Sequence, residues 1–100
     1  MIIAVPYDNG NIFPKFGQTA YFKLYDAHDG IIRKTEIVPT VSKSHGALAV
    51  FLTQHNVETL ICDSIGSAAQ TALRLCGIKL RCGVTGSADE AIRRYLHSYC

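Results

Sequence analysis

The chain has 100 residues, of which 48% are hydrophobic and 18% charged, and its net charge is +2. This is the size of one domain, spanning 1–100, with enough apolar content to bury a core, which excludes a disordered chain. The charge is too small and too scattered for a nucleic-acid interface, and no apolar run approaches the roughly 18–20 residues that cross a membrane.

Met1 to Tyr7 has neither a basic leader region nor a cleavage pattern, and Ile2 to Pro6 reads as a strand apolar on both faces. Tyr7 to Asn11 is rich in turn formers, and the chain is expected to stay irregular through Gln18, a long loop of the kind that carries function. Tyr21 to Ala27 and Ile31 to Val38 form the next two strands, joined at His28-Asp29-Gly30 by a hairpin turn. The second of them alternates charged and apolar residues, as an edge strand does. Ser44 is placed to cap a helix from His45 to about Gln54, with Ala47, Leu48, Phe51 and Leu52 inward.

A fourth strand follows Asn56 and ends in the turn Ser64-Ile65-Gly66, which opens a second helix stopped by Gly77. Ile78 to Gly83 alternates again and is a further edge. Ser87-Ala88-Asp89-Glu90 spells a capping box ahead of a last helix with Ala88, Ala91, Ile92, Tyr95, Leu96 and Tyr99 on one stripe. Cys62, Cys76, Cys82 and Cys100 show no metal-type spacing. The first three are expected to be buried and Cys100 exposed, which fits a reducing cytoplasm.

The order β-β-β-α-β-α-β-α, with the first and fourth strands central and the third and fifth at the edges, predicts a ribonuclease H-like three-layer α/β/α fold. Its five-stranded mixed sheet has the order 3-2-1-4-5, with only strand 2 antiparallel, and right-handed crossovers place helices on both faces. A flavodoxin-like sheet would need a helix between the first two strands, which residues 7–20 do not supply. All three helices are then expected to begin on one rim at the carboxyl ends of the strands, where ligands of open α/β sheets bind and where helix N-termini favour anions.

The first strand holds no acid, which argues against a metal-dependent nuclease. A P-loop, a dinucleotide fingerprint and a nucleophile elbow are absent, and catalysis through Cys62 carries little weight because that thiol is expected to face the core. His45, at a helix start and followed by Gly46, should stay neutral, the form that binds metal. Lys15 is a candidate anion contact, Phe16 an anchor of its loop and Gly17 the residue that permits the turn. Ser64, Gly66 and Ser67 would meet a ligand at the opening of the second helix.

Taken in order, Ile3-Ala4-Val5-Pro6, Asp8-Asn9-Gly10, Pro14-Lys15-Phe16-Gly17, Ser44-His45-Gly46-Ala47, Ser64-Ile65-Gly66, Gly77-Ile78 and Gly83-Val84-Thr85-Gly86 make the chain resemble the dinitrogenase iron–molybdenum cofactor biosynthesis family. The resemblance implies a non-catalytic domain that binds or carries an anionic iron–sulfur or molybdenum-containing cluster or its precursor. Implied ligand-binding residues are Lys15, Phe16, Gly17, His45, Gly46, Ser64, Gly66 and Ser67, with His45 the metal ligand. Metallocluster assembly proteins are the implied partners. The family often has His-Phe-Gly where Lys15-Phe16-Gly17 stands, and a glycine-richer turn than Asp63 to Ala68. These departures leave a metal-free small-anion or regulatory binding module as the alternative.

Overall fold

The computed structural model describes residues 1–40 and 45–99, and for His45, Gly46, Ser98 and Tyr99 the backbone alone. The expected cap at Ser44, the side chain of His45 and the terminal Cys100 therefore lie outside the described residues.

A mixed sheet forms the middle layer. Its strands are β1 (Ile2–Asp8), β2 (Asn11–Ile12), β3 (Tyr21–His28), β4 (Ile31–Pro39), β5 (Val57–Ile61) and β6 (Lys79–Arg81), and its helices α1 (His45–Gln54), α2 (Ser67–Leu75) and α3 (Ala88–Tyr99). The long strands run in the order β4-β3-β1-β5-β6. β3 is antiparallel to β1 and β4, whereas β5 is parallel to β1 and to β6.

The expected count of five strands becomes six because of β2, which pairs antiparallel with the end of β1 through Tyr7↔Ile12 and Asp8↔Asn11. The cause is local. Asn9 and Gly10 both take positive φ, 46° and 89°, the geometry of a type I′ hairpin turn that Asn-Gly favours. There is also a topological reason. β5 pairs only with Ile2, Ile3 and Ala4 of β1, so beyond them that edge of β1 would lack partners, and β2 supplies them. Asp29 and Gly30, at φ 54° and 75°, repeat the same turn between β3 and β4.

The sheet divides the core. On one face α1 and α2 cover Ala4, Phe22, Leu24, Leu60 and Cys62. On the other α3 alone covers Ile3, Val5, Tyr25, Ala27 and Ile61. Alternation along each strand sends neighbouring residues to opposite layers, which is why β1 and β5 read as apolar throughout. Among the described residues, no helix is long and apolar enough to cross a membrane.

Among the described residues, two buried ones are polar, Thr19 and Thr59, and the second interrupts an apolar strand. Thr59 is 1% exposed, and its Oγ1 has no hydrogen-bond partner among the described residues. An orphaned buried hydroxyl carries its desolvation cost without return. Thr59→Val, which keeps the shape and removes the hydroxyl, should therefore raise unfolding stability by about 1 kcal/mol, read from the midpoint of urea unfolding.

Candidate functional site

The loop 14–18 and the turn after β5 are one structure. Lys15 and Ser64 form a parallel bridge. The Phe16 amide donates to the Ser64 carbonyl at 3.2 Å, and the Ser64 amide donates to the Pro14 carbonyl at 3.2 Å. Phe16 is the reason the loop sits there. Its ring is 1% exposed and lies 5.8 Å from Phe22, which in turn stacks on Phe51 of α1. Phe16 thus holds the loop from below, and its neighbour Lys15 is left exposed beside the turn.

Gly17 lies in a short 3-10 turn, Phe16–Gln18. That backbone is right-handed and open to any residue, so the turn does not require glycine. Thr19, fully buried, closes the loop by donating its hydroxyl to the Lys15 carbonyl at 3.2 Å.

Ser64, Gly66 and Ser67 are exposed at the start of α2. Gly66 is the N-cap, in extended conformation at φ −74°, and no side chain caps the helix. Among the described residues, neither Asp63 nor Ser64 of the turn caps the first amides of α2. The first turn of α2 contains no acid, and neither does that of α1. A methyl group at Gly66 would meet nothing within 4 Å. Neither backbone nor packing requires glycine there.

The third helix does not join them. The amide of Ala88 donates to the Gly10 carbonyl at 3.0 Å, and that of Glu90 to Ser87 Oγ at 3.3 Å, one half of the expected capping box. Asp89 and Glu90 add negative charge to this first turn. Ile12 and Asn11 are tied to the 86–87 segment by an amide bond to the Gly86 carbonyl and by a bridge to Ser87. Of the three helix starts expected to favour an anion, that of α3 is thus closed; α1 and α2 pack side by side on the other face of the sheet. The side chain of His45, the first residue of α1, is not among those described.

The cysteines divide differently from expectation. Cys62 is buried, but Cys76 and Cys82 are exposed. Alternation pointed Cys82 inward, yet β6 ends at Arg81 on the sheet's edge, and nothing covers the residue beyond it. Burial, with lesser contributions from Cys82 and Asp63, pushes the Cys62 thiol up to about 12, so it is protonated at neutral pH and neither a nucleophile nor a ready metal ligand. Native alkylation followed by peptide mapping should label Cys76 and Cys82 and leave Cys62 unmodified until denaturant is added. Among the described residues, no three His, Cys, Asp or Glu side chains are grouped as for a metal ion.

The sequence profile described as dinitrogenase iron-molybdenum cofactor matches residues 1–98. The chain belongs to this family. An uncharacterized protein of Methanocaldococcus jannaschii is 30% identical over 96% of the chain and 86% of its own length. Among solved structures, the apo form of the orange protein from Desulfovibrio gigas is 30% identical, with a TM-score of 0.85 over 97% of the chain and 88% of that protein. The crystal structure of PH0822 is 25% identical, with a TM-score of 0.93 over 98% and 90%. The resemblance in the loop motifs thus extends over nearly the whole chain. The β1–β2 hairpin and the closed start of α3 are what sequence reasoning missed. Asn9-Gly10 was the available signal for the first, and the second depends on contacts distant in sequence.

Proposed function

We propose that this chain is a non-catalytic, cytoplasmic domain that binds or carries an anionic metal–sulfur cluster or its precursor, of the iron–molybdenum cofactor type, on a ribonuclease H-like fold. The observation that supports this most is the uncapped start of α2 held beside Lys15. Exposed amides, a helix dipole uncompensated by acids, and an ammonium group suit a multiply charged anion. The donors fit a cluster held from outside, through hydrogen bonds to its sulfide or oxo surface. Lys15, Ser64, Gly66 and Ser67 would make those contacts, Phe16 and Gly17 would shape the loop, and His45 with Gly46 would approach from α1 as the single direct ligand. Cargo held this way can be passed on, which suits metallocluster assembly proteins as partners.

Anaerobic incubation with iron, molybdate and sulfide should give a coloured, metal-containing protein. His45→Ala should weaken the colour, and Gly66→Ala, which adds a methyl group at the N-cap without a clash, should weaken it with the fold intact. Wild-type protein that stays colourless and metal-free would defeat the reading.

A second reading draws on Lys15, which stands where the family resemblance implies a histidine, and on the buried, protonated Cys62. Without a thiolate, the same site would take a small anion and no metal. Thermal shift against phosphate, nucleotides and metal salts separates the two, because stabilisation by an anion alone supports the second.

A further inference from the structure

On the opposite face of the sheet from Lys15 and α2, a cleft of about 280 Å³ opens between α3 and the edge of the sheet. Its lining is Ile61, Arg81, Val84, Ala91, Arg94 and Tyr95. We propose that this cleft is a second binding site, for a small amphipathic anion: a flat apolar body carrying one anionic group.

The position of each residue follows from the fold. Ile61 and Arg81 are paired across β5 and β6 and so share the α3 face. Ala91, Arg94 and Tyr95 stand three and four apart on α3, one stripe of the helix. Val84 enters from the loop after β6, held by its amide bond to the Cys62 carbonyl at 3.1 Å. Four of the six lining residues are apolar or aromatic, and the other two are arginines.

Charge makes the cleft more than a packing gap. No acid lines it. Among the described residues, the side chain of neither Arg81 nor Arg94 enters an ion pair or donates a hydrogen bond. The Arg81 guanidinium lies 5.1 Å from the centre of the Tyr95 ring. Stacking on an aromatic face leaves the edge donors of a guanidinium free to form a fork with a carboxylate, sulfonate or phosphate. Arginine keeps its charge throughout the biological pH range, so the site does not switch off on deprotonation. An inorganic anion would satisfy the guanidinium groups and leave the apolar lining wet. A neutral apolar molecule would cover the lining and leave two charges unmatched. An amphipathic anion does both. The volume falls just under the usual range for ligand pockets, roughly 300–1,000 Å³, which limits the ligand to about the size of one substituted ring.

The test is an NMR titration of the full chain with benzenesulfonate, whose charge does not change with pH, using inorganic sulfate and benzyl alcohol as its two halves. Benzenesulfonate should shift the methyl signals of Ile61, Val84 and Ala91 saturably. Each half alone should bind at least about tenfold more weakly, since a charged hydrogen bond contributes that much. Arg81→Gln and Arg94→Gln should each weaken binding about tenfold, with unfolding midpoints unchanged because both side chains are exposed. Sulfate binding as tightly as benzenesulfonate, shifts confined to residues 64–67, undiminished affinity in the double variant, or no saturable binding would each overturn the proposal. The experiment uses no metal, so it is independent of the cluster site at Lys15 and α2.

Discussion

Replacing Phe16 by alanine should destabilise the domain by about 3–5 kcal/mol, the usual cost of emptying a buried aromatic site. That is a large fraction of the roughly 5–15 kcal/mol that keeps a domain of this size folded. The ring is buried in the core shared with α1 and α2, against Phe22 at 5.8 Å, and an aromatic pair adds about 1 kcal/mol beyond its buried area. The loss should be local as well as global. Backbone hydrogen bonds between Phe16 and Ser64 and between Ser64 and Pro14 join this loop to the turn before α2, and without the ring the loop loses its main apolar anchor. Urea unfolding should show the lowered midpoint. Amide exchange of Phe16 and Ser64 should accelerate in conditions where the rest of the sheet stays protected. Lys15→Ala is the control: an exposed side chain should shift stability by less than about 0.5 kcal/mol and leave those two amides protected. Equal destabilisation by both substitutions would mean that Phe16 is not the anchor.

The contrast between Phe16 and Lys15 shows what could be read from the sequence. Phe16 as an anchor and Lys15 as an exposed charge followed from residue type and neighbourhood, because a phenyl ring beside a long loop has few places to go but the core. The long strands and the helices followed from periodicity, and their order from which strands are apolar on both faces. β2 was hidden because its two residues are too few to show a period. Only the Asn9-Gly10 pair announced it, and that pair was absorbed into a supposed irregular loop. Cys82 was misplaced because alternation predicts direction but not whether anything lies in that direction at the end of an edge strand. The start of α3 could be read only in part. Its capping serine and its acids are visible in sequence. The Gly10 carbonyl on the Ala88 amide and the lysine that reaches Asp89 come from residues 78 and 66 positions away. Such contacts decide which helix starts stay open for an anion, and they exist only once the sheet has formed.

The same contacts set the pH dependence of stability. The Tyr25 hydroxyl donates to Asp89 Oδ1 at 2.6 Å, and Lys23 Nζ lies 2.9 Å from the same oxygen. The ammonium also lies 5.4 Å and 5.1 Å from the ring centres of Tyr7 and Tyr25. Burial, then the bond to Asp89, holds the Tyr25 phenol far above its ordinary range. The bonds from Tyr25 and Lys23 hold the Asp89 carboxyl below the usual carboxylate range. The two groups act in opposite directions. Below about pH 10, Tyr25 is neutral in both folded and unfolded chains and its contribution is fully present. Above that, the unfolded chain releases the phenolic proton and the folded chain keeps it, so stability should fall by up to about 1.4 kcal/mol per pH unit. At the acid end, Asp89 contributes above about pH 4. That contribution is lost as pH falls through the lowered folded value, and it is modest because the carboxylate is half exposed and screened. Unfolding midpoints measured from pH 3 to pH 12 should therefore show a steep alkaline limb and a shallow acid one. Tyr25→Phe should flatten the alkaline limb while lowering stability at pH 7 by roughly 2 kcal/mol, the value of a hydrogen bond to a charged group. Asp89→Asn should shallow both limbs. An alkaline limb that survives Tyr25→Phe unchanged would assign it to another group and remove Tyr25 from the account.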